Sequence, residues 1–237
     1  MELLTYPALD STQDTARQLA VAHHALPFAV IATTQAHGRG REGKNWHSPS
    51  GGLWLTLALA VPSPAIILQA AMVAAYSMAG ILSAQFGLQP LVKWPNDLLL
   101  NRRKVCGILA ETLVSAEQTL LLVGVGLNVN NTLSQEQLPR ATSLSNELGH
   151  PADLDLLATV AASGIERDIN ILMQHGFQDF SGWISDHLAL RGETIAVEFN
   201  QQRSIGRVMG LSKTGGLLLE NSEGALEEVG AGSIYSW

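Results

Sequence analysis

Residues 91–129 read LVKWPNDLLLNRRKVCGILAETLVSAEQTLLLVGVGLNV, and this stretch decides the fold class. Leu91–Trp94, Leu98–Asn101, Val105–Leu113 and Thr119–Val129 are rich in Leu and Val and are set apart by short polar turns, the pattern of neighbouring antiparallel strands. Pro95 cannot donate to a ladder, so a strand must end or break there. Glycine within a good strand weakens it unless a bulge or a close approach requires it, which singles out Gly107, Gly124 and Gly126.

Working outward, Leu53–Val61 alternates Leu53, Leu55, Leu57 and Leu59 on one side and reads as a strand, as does the apolar run Phe28–Thr33. Ser11 and Asp14 have the spacing that caps a helix over Ala16–Ala20. Ser63-Pro64 opens a long apolar helix that Gly87 closes. Asp153–His175 carries Leu154, Leu157, Val160 and Ile165 at helical spacing and ends at Gly176, and Phe180–Leu188 reads as a shorter helix. From Arg191 the chain turns to short strands around Gly192, Gly206, Gly210, Gly215, Gly216 and Gly224, as a small β-barrel would. A unit of about fifty residues is marginal alone, so it should dock on the rest. Runs of strands with helices that do not alternate point to α+β, with a main unit over residues 1–188 and a small one over 189–237.

The 237 residues are 46% apolar and 15% charged, as in a soluble globular protein. Met1-Glu2-Leu3-Leu4 lacks the basic start of a secretory signal, and a cytoplasmic location is expected. Pro64–Leu82 could pass for a membrane span, but Gln69, Tyr76 and Ser77 and the lack of basic flanks favour a buried core helix, so no membrane is expected as a partner. Cys106 is the only cysteine, which excludes an intrachain disulfide and a four-cysteine zinc site. A net charge of −7 argues against general nucleic-acid binding. Between Arg39 and Lys104, however, seven basic residues (Arg39, Arg41, Lys44, Lys93, Arg102, Arg103, Lys104) face two acids (Glu42, Asp97), a surplus of +5 suited to a small polyanion.

The sharpest local feature is GRGREGKNW at Gly38–Trp46. Its three glycines let the backbone approach a ligand, and Arg39, Arg41 and Lys44 supply positive charge, so it reads as an anion cradle. Gly38–Lys44 also satisfies the core of a P-loop, yet Asn45 stands where a Ser or Thr would ligate Mg²⁺ and a strand follows where a helix should. A plain basic hairpin loop is the simpler alternative. In Lys93-Trp94-Pro95-Asn96-Asp97 an extended backbone sends Lys93, Pro95 and Asp97 one way and Trp94 the other. A salt-bridged turn would look the same. GVGLNVN at Gly124–Asn130 is G-x-G-x-x-N inside a strand, not the dinucleotide fingerprint.

These four motifs in this order, GRGREGKNW, KWPND, RRKVCGILAE at Arg102–Glu111 and GVGLNVN, resemble the biotin protein ligases, and with Ser11-Thr12-Gln13-Asp14 and the glycine-rich tail the resemblance covers nearly the whole chain. It implies a mixed β-sheet flanked by helices, like the class II synthetases, followed by a small SH3-like β-barrel. It also implies formation of biotinyl-5'-AMP from biotin and MgATP, and transfer of biotin to a lysine of a biotin carboxyl carrier protein. Matched by position, Ser11, Thr12, Gln13 and Gln35 would meet the biotin head. Gly38, Arg39, Gly40 and Arg41 belong to the loop that closes over biotin and phosphate, and Gly107 lies on the biotin side. Lys104 would sit between carboxylate and α-phosphate, with Arg39 as the second catalytic cation. Lys44, Trp46, Asn96, Asp97 and Asn128 would join Arg39, Arg41 and Lys104 around ATP, Trp46 stacking on adenine and Asn128 bonding to it. Asp97 is also the candidate orienter or base for the incoming lysine, while the Mg²⁺ ligands are not assigned.

The chain departs from the family pattern at Gln13, His37, Glu42 and Lys44, and Glu42 should temper the loop's charge. With only Met1–Asp10 ahead of the first motif, no sequence-specific DNA binding is expected, and a homodimer stays open. Two alternatives remain at this level. One is a lipoate or octanoate ligase or transferase on a related fold, with Cys106 as the nucleophile to consider; the other is a non-catalytic biotin-binding module.

Overall fold

The computed structural model describes residues 1–114 and 118–236. Seven strands, β1 (Glu2–Leu9), β2 (Phe28–Gln35), β3 (Leu53–Val61), β4 (Leu91–Lys93), β5 (Asp97–Leu100), β6 (Arg103–Val114) and β7 (Thr119–Leu127), form one sheet in the order β1-β2-β3-β7-β6-β5-β4. β1 runs parallel to β2 and the other neighbours are antiparallel, so the sheet is mixed. The turn expected between Leu113 and Thr119 lies partly outside the described residues.

Two apolar faces hold this sheet. Helices α2 (Ile67–Phe86) and α4 (Leu154–His175) cover Leu53, Leu55, Leu57, Leu59, Leu121 and Val123, with α5 (Gln178–Asp186) beside them. On the opposite face α1 (Thr12–Val21) lays Ala16 and Ala20 over Phe28, Val30, Ala58, Leu120 and Leu122. The leucine alternation of β3 therefore marks only one of its two buried sides; the other is filled by Trp54, Thr56 and Ala58.

The helix ends follow local chemistry. Ser63 Oγ accepts the Ala65 N–H (3.2 Å) and Pro64 begins a 3₁₀ turn that leads into α2, while Gly87 ends that helix at φ +67°, a left-handed conformation that favours glycine. Pro64–Phe86 is long and apolar enough to cross a membrane, but ten residues of α2, from Ala70 to Leu82, are buried in the core. Ser11 Oγ caps α1 through the Asp14 N–H (3.4 Å); Asp14 directs its own carboxylate to Arg39 instead. The helix expected over Phe180–Leu188 is displaced to Gln178–Asp186, and β1 and the short α3 (Leu144–Leu148) are additions. β1 gives little signal because it is an edge strand with no fully buried residue and contains Pro7, which an edge tolerates.

The tail forms a second, antiparallel sheet of β8 (Thr194–Phe199), β9 (Gln202–Leu211), β10 (Leu217–Glu220), β11 (Leu226–Val229) and β12 (Ser233–Ser236), in the order β11-β10-β9-β8-β12. It docks as expected. Ile195, Val197, Val208, Leu217 and Leu219 join the main core, β9 lies against α5, and the Trp94 indole donates to the Gly215 carbonyl (3.0 Å).

Candidate active site

The face of the sheet under α1 changes character along its length. Leu120 and Leu122 pack against the helix, but the next two positions of β7 on that face are Gly124 and Gly126. Gly126 is registered against Gly107 of β6 and Trp54 of β3, and Gly124 against Thr56 and Leu109. The sheet thus becomes bare backbone where α1 begins. A cavity of about 410 Å³ opens there. A Cβ at Gly124 would lie 2.6 Å from Gln13 Oε1, and one at Gly126 2.5 Å from the Trp46 indole, so these glycines keep the floor flat.

One wall is a polar network. The Thr12 N–H donates to Gln35 Oε1 (2.7 Å), Gln35 Nε2 donates to Ser48 Oγ (2.8 Å), and Thr56 Oγ1 donates to Gln13 Oε1 (3.2 Å). Ser11, Thr12, Gln13 and Thr56 are all buried. Groups fixed in this way cannot turn away from an incoming polar ligand. Thr56 lines the cavity as well and belongs to no motif; a lone hydroxyl in the apolar run LWLTLALAV is the signal that could have marked it.

The opposite wall is cationic. Gly38–Trp46 folds as a hairpin with a 3₁₀ turn at Arg41–Gly43, closed by Gly40 N–H to Lys44 O (2.7 Å) and Trp46 N–H to Gly38 O (2.8 Å). The next strand or helix is β3, so the loop is not a P-loop. Arg39, Arg41, Lys44, Lys93 and Lys104 line the cavity. Arg102 and Arg103 do not: they pair with Glu193 and Glu147, each at 2.7 Å. The basic window thus divides into five cavity cations and two surface ion pairs.

Carboxylates fix most of these cations, and those on Arg39 come from distant segments. Arg39 spans Asp14 (2.7 Å) and Glu111 (2.9 Å), and Glu111 also accepts from Gln13 (3.0 Å) and Arg17 (2.9 Å). Lys104 Nζ is 2.7 Å from Asp97 and lies over the Trp46 ring, 4.9 Å from its centroid. Lys44 bonds to Glu42 (3.1 Å), whose carboxyl is held below its usual range first by the Ser233 hydroxyl and then by Lys44 and Arg41. Burial pushes the Lys93 ammonium down, against the pull of Asp97. Pairing holds cations in place while lowering their net field.

Other expected residues take mixed places. Asn96 lines the cavity, yet its amide is used in bonds to Ile108 O (2.6 Å) and from Arg41 (3.1 Å), so it braces the loop. Asn128 donates to Thr142 O and accepts from Asn131, both at 3.1 Å. Trp46 lies inward over Gly107 and Gly126, and its Nε1 finds no hydrogen-bond partner among the described residues. Gly38 is set back in the hairpin neck, where a Cβ would lie 2.3 Å from Trp46 O, and does not line the cavity. Ser233 and Ile234 do line it; they enter from β12 and carry no motif.

Fold and site together define an α+β protein that can hold an anionic ligand on a bare sheet floor between a neutral polar wall and fixed cations. Residues 6–128 match the Biotin/lipoate A/B protein ligase family. The chain is 33% identical over 232 residues to the bifunctional ligase/repressor BirA of Bacillus subtilis, covering 94% of this chain and 70% of that protein. It is 32% identical to the biotin–[acetyl-CoA-carboxylase] ligase of Paracoccus denitrificans, covering 91% and 92%. The biotin protein ligase from Aquifex aeolicus in complex with biotin and ATP superposes with a TM-score of 0.89 at 28% identity, over 100% of this chain and 99% of that one. The chain belongs to the biotin/lipoate protein ligase family and, within it, to the enzymes that are biotin protein ligases.

Proposed function

We propose that this enzyme joins biotin to MgATP to form biotinyl-5'-AMP and then transfers biotin to a lysine of a biotin carboxyl carrier protein. The observation that carries this reading is the meeting of a neutral polar cradle and a set of fixed cations in one cavity. Biotin offers a ureido ring that such a cradle can hydrogen-bond and a carboxylate that the cations can receive. Its relatives' names and the ligands of the Aquifex complex support the same substrates.

In the first step a biotin carboxylate oxygen bonds to the α-phosphorus as the bond to the pyrophosphate bridging oxygen breaks. Both reactants are anions, so the protein must neutralise charge and hold geometry. Lys104 is assigned to the oxygens between them, with Arg39 as its partner. Ser11, Thr12, Gln13 and Gln35 are assigned to the ureido ring, Gly107 to the floor beneath biotin, and Gly40 and Arg41 to the covering loop. Lys44 and Trp46 are assigned to the nucleotide, while Asn96 and Asn128, whose amides are engaged within the protein, are assigned to shaping the walls beside it. In the second step the acceptor amine bonds the acyl carbon, AMP leaves with the acyl–oxygen electron pair, and the amine proton passes to Asp97 or solvent.

Mg²⁺ belongs to this reading as part of the nucleotide substrate. Such ions keep several waters and take one or two carboxylates besides phosphates. Asp97 is the carboxylate in the cavity lining among the described residues, and it suits that limited role.

A transferase working through Cys106 is disfavoured. The thiol is fully buried behind β6, and burial pushes its pKa up, away from the thiolate that nucleophilic attack needs. Cys106→Ala is expected to cost about 1 kcal/mol of stability and to keep acyl transfer; loss of transfer in a folded variant would overturn the ligase reading. The substrate is tested by incubating the protein with ATP and Mg²⁺ and, in turn, biotin, lipoate or octanoate, with mass spectrometry of the adenylates. Biotinyl-AMP is expected from the first, and lipoyl-AMP without biotinyl-AMP would replace this proposal.

A further inference from the structure

The tip of the Gly38–Trp46 hairpin is tied to the start of β12, some 190 residues later in the chain. Arg41 Nη2 donates to the Gly232 carbonyl (2.9 Å), Ser233 Oγ donates to Glu42 Oε1 (2.5 Å), and Lys44 Nζ stands 5.6 Å from the centroid of the Tyr235 ring. Glu42 is central to these ties. Besides Ser233 it holds Lys44 at 3.1 Å and Arg41 at 3.9 Å, and it does so from a left-handed backbone, φ +56°.

Glu42, Gly43, Lys44 and Asn45 are all exposed, so burial contributes little to keeping the tip down. A hairpin of that kind opens readily unless particular bonds hold it. Here the bonds come from the second sheet, on the side where Ser233 and Ile234 enter the cavity.

We infer that the Glu42–Ser233 pair is a latch by which the C-terminal sheet holds the loop over the cavity, and that it sets how long an intermediate is retained. Glu42 and Ser233 are positioning residues: they hold Arg41 and Lys44 rather than meet the reacting atoms. The inference rests on the proposal that an acyl-adenylate forms beneath this loop. Losing the latch opens the loop more often, so part of the adenylate escapes to solution before the acceptor lysine arrives.

The test compares Ser233→Ala, Glu42→Gln and Ser233→Thr with the unmodified protein. Amide hydrogen exchange of residues 38–46 in the ligand-free protein is read first, with β3 and β7 as an internal check that the fold is intact. Loss of one charge-assisted hydrogen bond is expected to speed exchange of the loop roughly five- to tenfold, and the hydroxyl of Ser233→Thr is expected to restore slow exchange. With biotin, MgATP and an acceptor present, the share of adenylate found free in solution should rise several-fold in Ser233→Ala and Glu42→Gln and fall back in Ser233→Thr. Unchanged loop exchange in Ser233→Ala and Glu42→Gln would overturn the latch, as would a Ser233→Thr variant that behaves like alanine. If no variant, nor the unmodified protein, makes a biotinyl adenylate, the proposed function fails while the exchange data still decide the latch.

Discussion

Replacing Lys104 with alanine is expected to lower biotin-dependent pyrophosphate release by about 10²- to 10³-fold, the usual effect of deleting one preorganised charge donor from a reaction centre. Lys104 rises from β6 beside the bare Gly107–Gly126 floor, and its ammonium is held from two sides, by Asp97 at 2.7 Å and by the Trp46 ring. A cation so held needs little reorganisation when two anions enter. The loss should therefore fall on the rate of adenylate formation. The fold should survive, because only one partly exposed contact is lost; leaving the buried Asp97 Oδ1 without its partner should cost about 1–3 kcal/mol. Near-normal release from a folded Lys104→Ala protein would remove the residue from the chemistry.

Trp54→Ala should cost about 3–5 kcal/mol of stability. The side chain is 1% exposed in the central strand β3, and its Nε1 donates to the Pro49 carbonyl (2.9 Å). Truncation leaves a cavity and a carbonyl without its partner. For a chain of this size the thermal midpoint should fall by about 6–20 °C. Because Trp46 packs edge-on against Trp54, 6.5 Å between centroids, this cavity-lining indole should lose its support as well. Chemical denaturation measures the first effect; a shift under 1 kcal/mol would contradict the view that β3 is a core strand on both faces.

Periodicity and turn chemistry made most of the fold legible. The strands from Phe28 to Thr119 and the helices opened by Ser63 and Asp153 all announce themselves through leucine patterning, caps and glycine stops. β1 did not, because an exposed edge strand carries no burial pattern, and neither did the second buried face of β3, where Thr56 hides the apolar run. The site's cations and glycines were legible for a similar reason: a floor without Cβ atoms and a loop of alternating Gly and Arg are local necessities. Their partners were not. Asp14, Glu111 and Ser233 reach Arg39 and Glu42 from 25, 72 and 191 residues away, and only the folded sheet brings them together. The seven-residue basic window likewise overcounted, since Arg102 and Arg103 sit on a turn that leads their side chains to Glu193 and Glu147.

This cavity is proposed to bring a biotin carboxylate and the α-phosphate of ATP together. Isotope exchange between pyrophosphate and ATP tests it most directly, because it reports the first step without any acceptor protein. Exchange should be at background with ATP and Mg²⁺ alone, rise when biotin is added, and return to near background in Lys104→Ala. Exchange that is indifferent to biotin would rule out biotin as the carboxylate activated in this cavity.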